Sequence, residues 1–191
     1  MERGVAVIGT ATTVREAVQW EASGVDLIVA QGSEAGGHRG TFVGAHEQGM
    51  IGSMALIPQM VDTVKTPVIA AGGIMDGRGV VASLALGAVG VQMGSAFLPC
   101  VESGAHGKYK EAVVNSTDES TVITRALSGK PARGIRNPFI TDMERYAEPI
   151  PPYPVENALT RDIRVKAAKQ GLMDLMSMWV VQILGNLLSR A

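Results

Sequence analysis

Apolar positions in the first hundred residues fall into two alternating patterns. Short continuous runs occur at Val5-Ala6-Val7-Ile8, Leu27-Ile28-Val29-Ala30, Pro67-Val68-Ile69-Ala70-Ala71 and Gly90-Val91-Gln92-Met93. Glycines follow them: Gly9, Gly32, Gly72-Gly73 and Gly94. Between the runs the period changes. Val14, Ala17, Val18 and Ala22 share a helical face, Thr13 and Glu16 stand at capping-box spacing, and Gly24 closes the segment. Met54, Leu56, Ile57, Met60, Val61 and Val64 trace a second helix around Pro58, and Gly79 to Leu86 a third that ends at Gly87. Continuous apolar strands alternating with helices predict a parallel sheet covered on both faces. The longest interval between strands holds a glycine-rich loop from Gly32 to Gly52.

The remainder is less regular. Tyr109 to Asn115 reads as the end of a fourth helix, Thr121–Thr124 as an exposed strand, and Ser128 to Pro138 as a turn-rich segment. Pro149, Pro151, Pro152 and Pro154 predict a stiff extended connector. One or two final helices are expected from about Asn157 to Leu188.

Composition narrows the class. A chain of 191 residues with 46% hydrophobic residues can bury a sizeable core. Seventeen basic and 18 acidic residues leave a net charge of −1, which argues against a nucleic-acid surface. The single cysteine, Cys100, excludes an internal disulfide framework. Val5–Ile8 is too short for a signal sequence, and the apolar stretch 176–188 falls short of the ~18 apolar residues of a membrane span. A cytoplasmic protein with no membrane partner is the expectation. Glycine is enriched, at 23 residues, which points to tight turns and close backbone approaches.

The loop Gln31-Gly32-Ser33-Glu34-Ala35-Gly36-Gly37-His38-Arg39-Gly40 follows a buried strand, at the sheet end where α/β sites lie. Gly36-Gly37 would let the backbone approach a ligand, and a neutral His38 could take a proton near pH 7. The plainer alternative is a surface histidine making a turn hydrogen bond. Gly72-Gly73 and Gly94-Ser95 end consecutive strands and could present N–H groups to a phosphate, although glycine also ends strands for purely structural reasons. His46 and Glu47 read as lid or solvated residues, and His106 as structural. His38, His46 and His106 lack a compact ligand spacing, so no metal is expected. Rossmann, P-loop and GxSxG patterns are missing.

The segment from Ala30 through Gly40 to Thr41-Phe42 resembles the signature loop of nitronate monooxygenases, formerly 2-nitropropane dioxygenases. Pro67–Ile74 and Val91–Leu98 are similar to two later motifs of that family, in the right order. Glu102–His106 and Pro131–Asn137 also resemble family segments. The resemblance implies an FMN-dependent TIM barrel with a small extra domain that oxidises nitronates with O₂. It makes His38 the active-site histidine. It assigns Gln31, Gly36, Gly73, Gln92, Met93, Gly94 and Ser95 to FMN contacts, with Gly72 beside them. In this reading Gly72-Gly73 and Gly94-Ser95 hold the phosphate. His38 takes the α-proton of a neutral nitroalkane, or orients a nitronate that is already an anion.

A full barrel has eight βα units and about 250 residues. The pattern here gives four units. The expectation is an α/β chain comprising about the last four βα units of a partial TIM (β/α)₈ barrel plus a C-terminal helical extension. Residues 1–115 form the C-terminal half of the FMN-binding barrel. Residues 116–191 form an irregular segment and helices that contribute to the small domain and barrel closure. Trp179-Val180-Val181-Gln182-Ile183 replaces a stretch that in the family is smaller and glycine-rich after the Trp, which predicts a remodelled site entrance or a new packing contact. A half-barrel exposes two sheet edges, so a homo-oligomer or the missing N-terminal half is the expected partner. Two other functions remain open at this point: a flavin-dependent enoyl-acyl carrier protein reductase, and a non-catalytic flavin- or phosphate-binding fragment.

Overall fold

The computed structural model describes residues 4–146 and 149–182. In chain order the elements are β1 (Ile8–Ala11), α1 (Val14–Ala22), β2 (Leu27–Gln31), β3 (Gly37–His38), α2 (Ser53–Thr63), β4 (Val68–Ala71), α3 (Gly77–Ala85), β5 (Gly90–Gln92), α4 (Gly107–Val114), β6 (Thr121–Thr124), β7 (Ala132–Ile135), α5 (Pro138–Arg145) and α6 (Val155–Gln170). They divide into two compact units. The first holds 1–35 and 39–93; the second holds 36–38 and 94–191. The compact boundary therefore falls at Met93, and the Gly36–His38 stretch belongs with the later residues because β3 pairs with β7.

The first unit is a parallel sheet in the order β1-β2-β4-β5. Leu56, Ile57 and Met60 of α2 are fully buried with Ile28, Val68 and Ala70 of the sheet. Each large side chain contributes about 1.5–3 kcal/mol by leaving water. Two local expectations change. The first strand is Ile8–Ala11 rather than Val5–Ile8, and it runs through Gly9, which pairs with Ile28. Gly9 is a packing position: a Cβ there would stand 2.5 Å from the Trp20 ring, whose indole N–H donates to Thr10 O. Val5, Val7 and Ile8 are exposed, so their apolar character does not mark the buried part of the strand. The capping box is half made. Thr13 Oγ1 accepts the Glu16 N–H, but the Glu16 carboxylate turns to Thr12.

The second unit contains the antiparallel sheet β3-β7-β6. The segment expected to be only turns, Ser128 to Pro138, contains β7. Thr121–Thr124 is a strand but is not exposed, because Val122 packs on the buried cluster of Ala126, Leu127 and Ile140. The C-terminal helix begins at Val155 and stops at Gly171, which is left-handed. Beyond it a single 3₁₀ turn, Met173–Leu175, leads into extended chain instead of a second helix. Asn137 explains the change. Its amide donates to Met173 O and Met176 O, while its Oδ1 caps α5 at the Ile140 N–H. Ile135 N–H then donates to Met178 O, and Gly134 bridges Trp179. Ile183 and the rest of the expected terminal helix lie outside the described residues.

Candidate active site

In the first unit the carboxyl ends of three strands come into line: Gln31 pairs with Ala71, and Ala71 with Gln92. Gln31 and Gln92 therefore lie at one sheet edge, with Gly72 directly after β4 and Met93 directly after β5. Gln31 Oε1 accepts the Gly40 N–H at 2.7 Å. The chain leaves β4 through Gly72 and Gly73, at φ +107° and +71°. A Cβ on Gly72 would meet Ala35 N at 3.0 Å, so side chains are excluded there by conformation and by space. Gly73 and Gln92 are exposed, while Met93 is half-buried against the core.

Buried charges hold the loop around this edge. Arg39 is 1% exposed, and its guanidinium donates to Gly32 O, Gln31 O and Gly49 O. Glu34 accepts from the Ser53 N–H and hydroxyl at the start of α2, and the same hydroxyl lies 3.1 Å from Gly72 O. Glu16 accepts from Thr12 N–H, Thr12 Oγ1, Phe42 N–H and Val43 N–H. Burial works against the Glu16 charge, but the N–H donors of Val43, Thr12 and Phe42 together outweigh it and hold the carboxyl below its usual range.

In the second unit His38 lies on β3, its Nε2 2.7 Å from Ser128 Oγ. The Ser128 hydroxyl also stands 3.2 Å from Lys130 O. Which of the two donates in the His38–Ser128 bond depends on the imidazole tautomer. The Trp179 ring centroid is 5.5 Å from the imidazole and that of Tyr153 is 6.2 Å away. His38 is exposed as a residue, yet partial burial of its ring first, and then the positive charges of Lys130 and Arg164, push its pKa below the ordinary value and favour the neutral ring near pH 7.

Gly36 departs from expectation. The space a Cβ would take is 2.5 Å from the Val180 carbonyl carbon, so the close backbone approach is to the chain's own C-terminal segment. Ser95 lies beside the same segment: it is 5% exposed and its Oγ accepts the Val181 N–H at 3.0 Å. The bulky Trp179–Val181 stretch thus makes a packing contact. Tyr109 anchors it by donating from its hydroxyl to Trp179 O. Gly94 is exposed, with open space where a Cβ would stand. His46 contacts Glu47 at 3.1 Å, and His106 caps α4 through Lys108 N–H. Among the described residues no group of three or more His, Cys, Asp or Glu gathers as a metal site, and no helix is long and apolar enough to cross a membrane. Ser128, Lys130, Arg164 and Trp179 were not singled out from sequence as His38 neighbours. Nothing in their spacing announces the contact, since Ser128 is 90 positions from His38.

These features define an α/β protein in which one unit collects polar residues at the carboxyl ends of parallel strands and the other carries a neutral histidine on a short strand. The family model of nitronate monooxygenase matches residues 1–189. The chain is 53% identical over 180 residues to a probable nitronate monooxygenase of Staphylococcus saprophyticus, covering 93% of this chain and 51% of the relative. It is 55% identical over 179 residues to one from Staphylococcus aureus (strain JH9), covering 93% and 50%. Among solved structures, nitroalkane oxidase from Streptomyces ansochromogenes matches with a TM-score of 0.86 and 39% identity, over 98% of this chain and 56% of that one. FabK from Thermotoga maritima matches with a TM-score of 0.77 and 36% identity, over 95% and 55%. This chain belongs to the nitronate monooxygenase family and corresponds to its C-terminal portion. It spans about half the length of the curated relatives it matches.

Proposed function

We propose that this chain is the C-terminal part of an FMN-dependent nitronate monooxygenase, a cytoplasmic enzyme that oxidises alkyl nitronates with O₂. In this reading residues 1–115 supply the last four βα units of a TIM barrel and 116–191 the small domain and closure. The observation that carries the reading is His38, neutral and fixed by Ser128 beside Trp179.

The residues present suit a flavin phosphate. Gly73, after β4, is exposed with the Glu34 Cβ 3.3 Å from where its own Cβ would stand, and Gly94, after β5, is exposed with open space there. Ser95 Oγ accepts from Val181 N–H, which leaves the hydroxyl proton to donate to a phosphate oxygen. Gln31 and Gln92 offer amides for polar ring atoms. Gly36 is the exception, since Val180 occupies its free side. Bound FMN supplies the electron transfer and the reaction with O₂. For a neutral nitroalkane, the neutral His38 imidazole removes the α-proton and becomes imidazolium beside Ser128. For a nitronate no proton need be removed, and the imidazole orients the nitro group.

The test starts with the purified 191-residue chain, mixed with FMN, desalted and examined by visible absorbance. Retained oxidised-flavin bands, followed by oxygen uptake with an alkyl nitronate that drops at least a hundredfold in His38→Asn, are expected. NADH oxidation with an enoyl thioester and no nitronate turnover would replace this reading with the reductase. Flavin retention without either activity would leave a binding fragment. Absence of retained flavin would remove the reading for the isolated chain.

A further inference from the structure

Helix α6 is amphipathic in the sense opposite to a core-facing helix. Its inward face is polar: of its buried residues Glu156, Thr160 and Ala167, two are polar, and Arg164 lies half-buried in the same row. Hydrogen bonds dock this face. Thr160 Oγ1 lies 2.7 Å from Leu127 O, and the Arg164 guanidinium donates to Thr160 Oγ1, Asn157 Oδ1 and Ser177 Oγ. The outward side carries the apolar residues. Val155, Leu159, Ile163 and Val165 are 45–65% exposed, and Leu172 and Met173 extend the exposed apolar surface past Gly171. A helix held by its apolar stripe shows the reverse arrangement. Single exposed apolar side chains carry no message, but a row along one helix marks a surface that is covered in the working protein. Two charges stand in the middle of the row. Asp162 and Lys166 are exposed, and neither forms an ion pair among the described residues. Val155, Leu159, Asp162 and Lys166 follow at spacings of four, three and four, the repeat that keeps one seam of a helix against a neighbour. Ile163 and Val165 flank that seam on its two sides.

We propose that this face docks on a second copy of the chain, the two α6 helices lying antiparallel about a two-fold axis level with position 164. In that register Asp162 of each copy faces Lys166 of the other, so the seam holds two reciprocal ion pairs. Ile163 meets its own counterpart on one side of the seam, and Val165 meets its own on the other. Leu159 covers the aliphatic stem of the exposed Lys169 in the other copy, and Val155 approaches the other copy's Leu172 and Met173. The charges choose both the occupant and the direction. A parallel pair would set Asp162 on Asp162 and Lys166 on Lys166, whereas the antiparallel pair makes the face complementary to itself. A helix of 16 residues is about 24 Å long, so the contact belongs with the smaller interfaces and gives a concentration-dependent dimer. The inference is independent of flavin, substrate and the nitronate reading.

The experiment is sedimentation of the full chain over a concentration series at low salt. A reversible monomer–dimer equilibrium with a midpoint on the order of tens of micromolar is expected. Asp162→Lys alone, and Lys166→Asp alone, each set like charges across both pairs and should weaken the dimer about tenfold. The double variant, carrying both changes, should recover most of the loss, which a merely structural role for either residue would not do. Leu159→Ser tests the apolar part and should weaken the dimer without changing its salt dependence. A second readout fixes the register. In a Cys100→Ser background, Ile163→Cys should cross-link to its own counterpart on oxidation, and Arg161→Cys, which points away from the seam, should not. All of these positions but Cys100 are exposed, and far-UV circular dichroism checks that each variant keeps its fold. A chain that stays monomeric throughout the series would overturn the proposal. So would a dimer whose midpoint stays within twofold of the parent in both single charge variants, since it would associate through another surface such as a sheet edge.

Discussion

The two compact units solve the same problem, fixing a functional loop, by different means. In the first, a regular parallel sheet sets the positions, and buried charges pin the loop to it: Glu16 on Phe42 and Val43, Arg39 on three carbonyls, Glu34 on Ser53. In the second, one extended strip from Met176 to Val181 is the organiser. Asn137, Ile135, Tyr109 and Ser95 each hold it through a hydrogen bond to its backbone. A sheet stabilised by repeated pairing shares strain across many bonds. A strip held by a few side chains depends on each of them. The first unit should therefore lose stability as a block when a buried charge is removed, and the second should open locally.

The largest effect is expected at Glu16. Glu16→Ala leaves three buried or half-buried N–H groups without their acceptor, a loss of about 3–5 kcal/mol. Glu16→Gln retains one acceptor oxygen and should cost roughly half as much. Urea unfolding at pH 7 measures both, and a loss below about 1 kcal/mol for Glu16→Ala would show that the loop has another anchor. Asn137→Ala comes next, at about 2–3 kcal/mol, because it removes a helix cap and two donors together. Its distinguishing mark is local. Hydrogen exchange at the Ile135 and Val181 amides should accelerate more than exchange in β2 or β4. Uniform acceleration would erase the contrast between the units.

The same contrast explains what the amino-acid sequence made legible. The strands around Ile28, Ile69 and Val91 and the helix around Leu56 are written locally, as apolar runs and 3.6-residue periodicity, so the order of the parallel units could be read directly. Gly9 misled because a glycine that admits Trp20 looks like one that ends a strand. His38 and the glycines of the strand ends were visible through their motif. Ser128, Lys130 and Arg164 were not, since their relation to His38 depends on β3 pairing with β7 and on Thr160 bonding Leu127. The C-terminal strip was misread as helix for a similar reason. Its apolar residues suit a helix locally, but Gly171 and the Asn137 amide fix an extended path.

Acid should separate the units by pH window. The His38 pKa is depressed in the folded state, so the unfolded chain binds the additional proton. Stability from this group is present above about 6.5 and is lost as pH falls through the folded value. Glu16 is also depressed, as are exposed Glu21, through its bonds from Thr66 and Lys65 N–H, and exposed Asp76, through Arg78. The contribution of the two glutamates persists until pH drops below about 4.5 and that of Asp76 until it drops below about 3.8. Buried Glu156 has the opposite sign: its raised pKa means stability is lost as pH rises through its folded value. Denaturation curves should therefore show a first weakening as pH falls below about 6.5, which His38→Asn flattens. A second weakening below it should be reduced by Glu16→Gln. If His38→Asn leaves the upper window unchanged, partial burial and the nearby positive charges do not depress the imidazole.

The smallest effect on stability, and the one closest to the chemistry, is expected at Ser128. Ser128→Ala removes the hydroxyl partner of His38 Nε2 and one donor to Lys130 O, a cost of about 1 kcal/mol. What should change more is the proton's place on the ring. In the parent chain the Ser128 contact at Nε2 favours one tautomer, so ¹⁵N shifts of His38 should report a single tautomer at pH 7.5. Without that hydroxyl the preference should fall, giving shifts intermediate between the two tautomers, while Trp179 remains beside the ring because Tyr109 and Gly134 hold it. An unchanged tautomer would assign the orientation of His38 to its strand pairing with Ala132 instead of to the serine, and the second unit would then hold its histidine as the first holds its loop, through the backbone.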